Sequence, residues 1–148
     1  MFKPCRILVP TDMSDHSYKA MRNAFDIARQ YNSEVFLLHV IQDPVRQCAI
    51  DFCISEELFV KLQEQMIESV REEMMNQLAR FPSIDPDAIT ADVKIGEPYH
   101  EILKEADERE INLIVISSLG SSGLPKYLVG SVARHVLLEA KCSVLLTK

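Results

Sequence analysis

The sequence predicts an α/β fold with five strands in one mainly parallel sheet and helices on both of its faces. Three observations predict it. Five short β-type runs alternate with four helical patterns along the chain, the order in which parallel strands and crossover helices are laid down. The first, second and fourth runs are nearly continuous in apolar residues, as strands buried on both faces must be. The length, 148 residues, suits one domain over residues 1–148, because a chain of this size buries about 70% of its unfolded surface on folding.

The first strand is read at 5–9, CRILV, before Pro10 and the turn Thr11-Asp12-Met13-Ser14. Ser14 is a good cap, and Ala20, Ala24, Ile27, Ala28 and Tyr31 follow at helical spacing until Asn32 and Ser33 end the helix. The second strand, EVFLLHV, covers 34–40. Residues 43–54, DPVRQCAIDFCI, are too long and apolar for a simple solvated turn. They read equally well as a flap or subunit contact and as a loop packing Ile50 and Phe52 on its own domain. A long helix runs from Ser55 to about Arg80, with Glu56 and Glu57 at its positive end and Pro82 beyond its close. Leu58, Leu62, Met66, Val70, Met74 and Leu78 form its apolar stripe. The third strand is ITADVKI, 89–95, and the third helix runs from Pro98, where a missing N–H is harmless, to about Arg109. The fourth strand is LIVIS at 113–117, the last helix runs from Ser131 to about Ala140, and SVLLT at 143–147 closes the sheet.

Composition narrows the function. The chain carries 22 acidic against 16 basic residues, a net charge of −6, so broad attraction to nucleic acid or an anionic membrane is not expected. The amino terminus has no signal-peptide core, and no run nears the 18 apolar residues of a membrane span. A cytoplasmic location is expected. Cys5, Cys48, Cys53 and Cys142 include no C-x-x-C pair, which reads as reduced structural thiols. Only the Cys48/Cys53 pair is close enough in sequence to stay open.

Three of the four glycines, Gly120, Gly123 and Gly130, crowd into one stretch after the fourth strand. Glycine is used where φ must be positive or another group must come close to the main chain. In open parallel sheets ligands lie at the carboxyl ends of strands. If strands one and four are neighbours, Asp12 faces the glycines across that crevice. Gly120 and Gly123 would then turn N–H groups toward a phosphate, and Gly130-Ser131 would add a helix start and a hydroxyl. Asp12, an acceptor, suits a sugar hydroxyl or an adenine amine. Each residue also has a plain reading: Asp12 as part of the first helix cap, Gly130-Ser131 as a turn and cap, Gly120 and Gly123 as a surface loop. No histidine pair has metal-ligand spacing, and no nucleophile, base and orienting group can be assembled from the sequence. No glycine precedes a lysine, so there is no Walker A loop, and PTDMS lacks the glycines of a dinucleotide fingerprint.

ILVPTDMSDHSYKA, FLLHV, GEPYHEILKEADEREINLIVIS and GSSGLPKYLVGSVARHVL together resemble the universal stress protein family over essentially the whole chain. The resemblance implies a Rossmann-like sheet ordered 3-2-1-4-5, related to the adenine nucleotide alpha hydrolases. It implies ATP as ligand, with or without Mg2+, held by a G-x2-G-x9-G-[ST] motif. Gly120, nine residues and Gly130-Ser131 match its second half, whereas its first glycine is replaced by Ser117. Were that position left-handed, a side chain there would cost about 1–2 kcal/mol. Residues expected at the nucleotide are Pro10, Thr11, Asp12, Val40 through its main chain, Ile116, Ser117, Ser118, Gly120, Gly123, Gly130, Ser131 and Val132. Family members usually dimerise through the last strand, here Val144, Leu145 and Leu146. The implied function is a dimeric stress-response regulator or interaction module rather than an enzyme, with ATP hydrolysis or autophosphorylation slow at most. Two alternatives remain: the same fold and dimer without nucleotide, and a binder of another adenine nucleotide such as cAMP.

Overall fold

The computed structural model describes residues 1–42, 54–120 and 128–148. Gly123, Cys48, Cys53 and all of the 43–54 segment except Ile54 lie outside the described residues. The elements are β1 (Arg6–Pro10), α1 (Asp15–Tyr31), β2 (Glu34–Ile41), α2 (Glu56–Ala79), a short 3-10 turn (Pro86–Ala88), β3 (Ile89–Ile95), α3 (Pro98–Glu108), β4 (Leu113–Ser117), α4 (Ser131–Glu139) and β5 (Ser143–Thr147). The five strands form one sheet in the order β3-β2-β1-β4-β5, and every neighbouring pair is parallel.

Alternation along the central strands builds two cores. Ile7, Val9, Leu37, Leu113 and Val115 point to the face covered by α1 and the end of α2, where Met21, Phe25, Met74 and Leu78 meet them. Leu8, Leu38, Ile114 and Ile116 point to the other face, against Ile102, Ala106, Ala133 and Val136 of α3 and α4. Ile7, Leu8 and Val9 are wholly buried, each burial stabilising by about 1.5–3 kcal/mol. This two-sided burial is why the strands read as continuous apolar runs.

Local signals set the helix ends. The Ser14 side chain accepts from the Ser17 N–H at the start of α1, and Asn32 ends it in a left-handed turn at φ 55°, a conformation that asparagine tolerates better than most residues. Ser55 caps α2 through the Leu58 N–H. The stripe on α2 is only partly used: Met74 and Leu78 are buried, whereas Leu58 and Leu62 are 45% and 38% exposed. Length explains the difference. The 24 residues of α2 span about 36 Å, whereas the five residues of β1 span about 17 Å, so the amino-terminal half of α2 overhangs the sheet.

At the β3 edge, Glu105 of α3 is buried and ion-paired with Lys94 and Arg109, and Asp92 pairs with the same two cations. Arg109 also lies over the Phe36 ring at 4.9 Å. Burial works against the Lys94 charge, but Glu105 and Asp92 outweigh it and push the ammonium above its ordinary value of 10.5. At the opposite edge stands β5, where Leu145 is 38% exposed; Val144 and Leu146 on either side of it pack toward the face that α4 covers.

Candidate functional site

The carboxyl ends of the strands open onto a cleft of about 500 Å³, within the range of small-molecule sites. β1 and its exit supply Pro10, Thr11 and Asp12, and β2 supplies Val40. β4 and the residues after it supply Ile116, Ser117, Ser118 and Gly120, and the start of α4 supplies Gly130, Ser131 and Val132. Every residue expected at the nucleotide therefore lines this cleft, apart from Gly123, which is outside the described residues. The lining also takes Met66 and Val70 from α2 on one face of the sheet and Ile102 and Ala133 from the other. The cleft thus straddles the sheet edge.

The two oxygens of the Asp12 carboxylate face different neighbours. Its Oδ1 accepts from the Ser14 N–H at 3.1 Å and from the Ser14 hydroxyl, supporting the residue that caps α1. Its Oδ2 faces Gly120, and a Cβ built on Gly120 would stand 2.7 Å from it. Gly120 therefore serves close approach, since a Cβ there would require the carboxylate to shift, and its φ is not in the left-handed region. Gly130 likewise has ordinary angles, φ −58° and ψ 152°, and its Cβ would meet the Ser118 carbonyl at an ordinary 3.5 Å. Of the two uses of glycine, positive φ and close approach, Gly120 shows the second and Gly130 shows neither. Ser117 ends β4, also without positive φ, so the serine brings no left-handed strain.

Among the described residues the positive φ at the cleft belongs to Met13, at 65° between Asp12 and Ser14. A side chain in that conformation costs about 1–2 kcal/mol, and here the turn is tied by the Met13 N–H donating to Thr11 Oγ1 at 3.1 Å. Thr11 Oγ1 also lies 3.0 Å from Ser17 Oγ and 2.9 Å from the Gln77 amide oxygen, while Ser17 Oγ donates to the Ser14 carbonyl. In that amide orientation Thr11 has one hydrogen for two acceptors, and the buried Gln77 Nε2 has no partner among the described residues. Reversing the amide resolves this: Gln77 donates to Thr11, Thr11 to Ser17, and Ser17 to the Ser14 carbonyl. The turn beside Asp12 is thereby fastened to α2. His39 adds a further tie, its Nδ1 lying 2.8 Å from the Thr11 carbonyl. A carbonyl only accepts, so Nδ1 is the donor in this contact.

Gln77, Ser17 and His39 were not read from the sequence as part of the site. Gln77 carried a signal all the same, since it lies three residues after Met74 and seven after Val70 on the apolar stripe of α2, where a polar side chain needs a partner. The helix starts differ as well. Ser14 and Ser55 cap α1 and α2 with side chains, whereas Gly130 at the start of α4 offers none. Gly130, Ser131 and Val132 line the cleft, so this helix start, without a side-chain cap among the described residues, is suited to an anion.

A second cavity of about 150 Å³ lies at the other end of the sheet, between α3 and α4, and Cys142 lines it. Burial pushes the Cys142 thiol above its ordinary 9.0, and Asp107 adds to this, so the reactive thiolate is suppressed there. Among the described residues no group of three or more His, Cys, Asp or Glu is placed to hold a metal ion, and no helix is long and apolar enough to cross a membrane.

A parallel, doubly wound sheet whose cleft lies at the carboxyl ends of its central strands defines the class of open α/β ligand-binding proteins. Within that class the chain belongs to the universal stress protein family, whose model matches residues 4–148. It is 31% identical to universal stress protein YxiE of Bacillus subtilis over 153 residues, covering 97% of this chain and 98% of the relative. Its fold matches that of universal stress protein UspA from Lactobacillus plantarum at a TM-score of 0.80 and 23% identity, covering all of both chains. A universal stress protein solved in complex with cAMP matches at a TM-score of 0.65 and 22% identity, over 99% of this chain and 98% of that one.

Proposed function

We propose that this chain binds ATP in the cleft between the ends of β1 and β4 and acts as a cytoplasmic, homodimeric regulator whose ligand state alters its protein contacts. The observation that carries the reading is the pairing of an α4 start without a side-chain cap with Gly120 packed against Asp12. The first offers N–H groups and a helix dipole to phosphates, and the second brings a hydrogen-bond acceptor to the nucleoside end. Gly130, Ser131 and Val132 would hold phosphate, while Pro10, Thr11, Asp12 and the Val40 main chain would border adenine and ribose. Mg2+ would arrive as the counter-ion of the triphosphate. The dimer would form along β5, an edge strand carrying Val144, Leu145 and Leu146, because an apolar edge invites pairing with a second copy.

Melting with and without Mg-ATP tests the ligand. At 100 times Kd a ligand adds about 2.7 kcal/mol, or roughly 5–10 °C for a domain of this size. No shift at millimolar ATP, with no nucleotide released from the purified protein on denaturation, would end the proposal. The relative solved with cAMP favours a second ligand of the same chemistry, and competition between ATP and cAMP in one binding assay ranks the two.

A further inference from the structure

Ser117 stands where the nucleotide motif has a glycine, and its side chain is not idle. Its hydroxyl donates to the Leu119 carbonyl at 2.6 Å and receives the Leu119 N–H at 3.3 Å, and the residue is 8% exposed. One hydroxyl therefore grips both polar groups of the residue two places on, closing the exit of β4 into a small ring. Main-chain bonds hold the residue between them: the Ser118 N–H donates to the Thr147 carbonyl at 2.8 Å, and the Ser118 carbonyl receives the Gly130 N–H at 2.8 Å. The next residue after the ring is Gly120, seated against Asp12.

We propose that Ser117 is a positioning residue whose hydroxyl fixes the path from β4 to Gly120, so that glycine at this position would weaken the site. The inference rests on the reading of the cleft as a nucleotide site. Its physical basis is that the hydroxyl's single proton is committed to Leu119, so Ser117 acts on a ligand through loop geometry and not through direct donation. Without the hydroxyl, Leu119 loses its local partner for both groups and the chain ahead of Gly120 gains conformations that must be lost again on binding. Glycine adds backbone freedom to that loss.

The test compares wild type with Ser117→Ala, Ser117→Gly and Ser117→Thr by titration calorimetry with ATP. Hydrogen exchange at the Leu119 amide and melting are followed on the nucleotide-free proteins. Alanine and glycine are expected to weaken ATP about tenfold, the size of one lost hydrogen bond, and to speed Leu119 exchange. Threonine, which keeps the hydroxyl, is expected to restore both. Melting reports the fold separately. A glycine variant that binds ATP as tightly as wild type, or more tightly, overturns the proposal, as does an alanine variant with fast exchange at Leu119 and unchanged affinity. If wild type and all three variants give flat isotherms, the nucleotide reading itself has failed and this role falls with it.

Discussion

Gly120→Ala places a carbon where the Asp12 carboxylate already stands. The new Cβ would lie 2.7 Å from Oδ2, whereas an ordinary contact begins at 3.4 Å, so the carboxylate must withdraw or the loop must move. Withdrawal is opposed on the other side of the same group, because Oδ1 accepts from the Ser14 N–H and hydroxyl. A hydrogen bond to a charged group contributes about 1.5–3 kcal/mol. Asp12 is exposed, so water replaces part of that, and a net loss of about 1 kcal/mol is expected. For a chain of this length that lowers the melting temperature by roughly 2–4 °C. ATP affinity is expected to fall about tenfold or more, since the substitution displaces an acceptor and narrows the cleft at once. Gly130→Ala is the matched control for stability alone: its Cβ meets the Ser118 carbonyl at an ordinary 3.5 Å. There alanine's poorer capping and its lower unfolded-state entropy offset each other to within about 0.5 kcal/mol. Differential scanning calorimetry and ATP titration on both variants read the outcome. A Gly120→Ala protein that melts and binds like wild type, or that melts no lower than Gly130→Ala, would refute the close-approach argument.

Two further predictions concern the sheet edges. Leu145→Asp puts a charge on the exposed face of β5 and is expected to convert a dimer to monomer in sedimentation equilibrium without loss of helix signal; a wild type that sediments as a monomer removes the dimer from the proposal. At the β3 edge the folded state holds the Lys94 ammonium more firmly than the unfolded chain does. Its contribution to stability is then complete below about pH 10.5, the ordinary lysine value, and fades as pH rises through the higher folded value. Urea unfolding from pH 8 to 11 should show that loss in wild type and a shallower one in Lys94→Met.

Much of the fold was legible because its signals are local. Ile7, Leu8 and Val9 announced a two-sided strand, Ser14 and Asn32 marked both ends of α1, and Pro98 sat in the first turn of α3. The overhang of α2 was less visible, since Leu58 and Leu62 continue the stripe that buries Met74 and nothing in the pattern tells where the sheet runs out. The location of the cleft followed from parallel topology, which sends Asp12, Val40, Ser117 and Ser131 to one end of the sheet. Its workings did not. The Gln77 tie to Thr11 spans 66 positions, and the need for Gly120 depends on a carboxylate 108 residues earlier, so neither leaves a local trace. The glycine cluster did not tell which use each residue serves: Gly120 stands against a carboxylate, and among the described residues the left-handed one at the cleft is Met13.

The bond from the Ser118 N–H to the Thr147 carbonyl joins the loop at the ligand cleft to the last residue of the strand at the sheet's edge. Under the proposed function, a nucleotide that stiffens the loop and a second copy that stiffens β5 act on the two ends of one hydrogen bond. Linkage then runs both ways: nucleotide tightens the dimer by the same factor by which dimerisation tightens nucleotide. An apparent ATP affinity measured on such a molecule would depend on how concentrated the protein is.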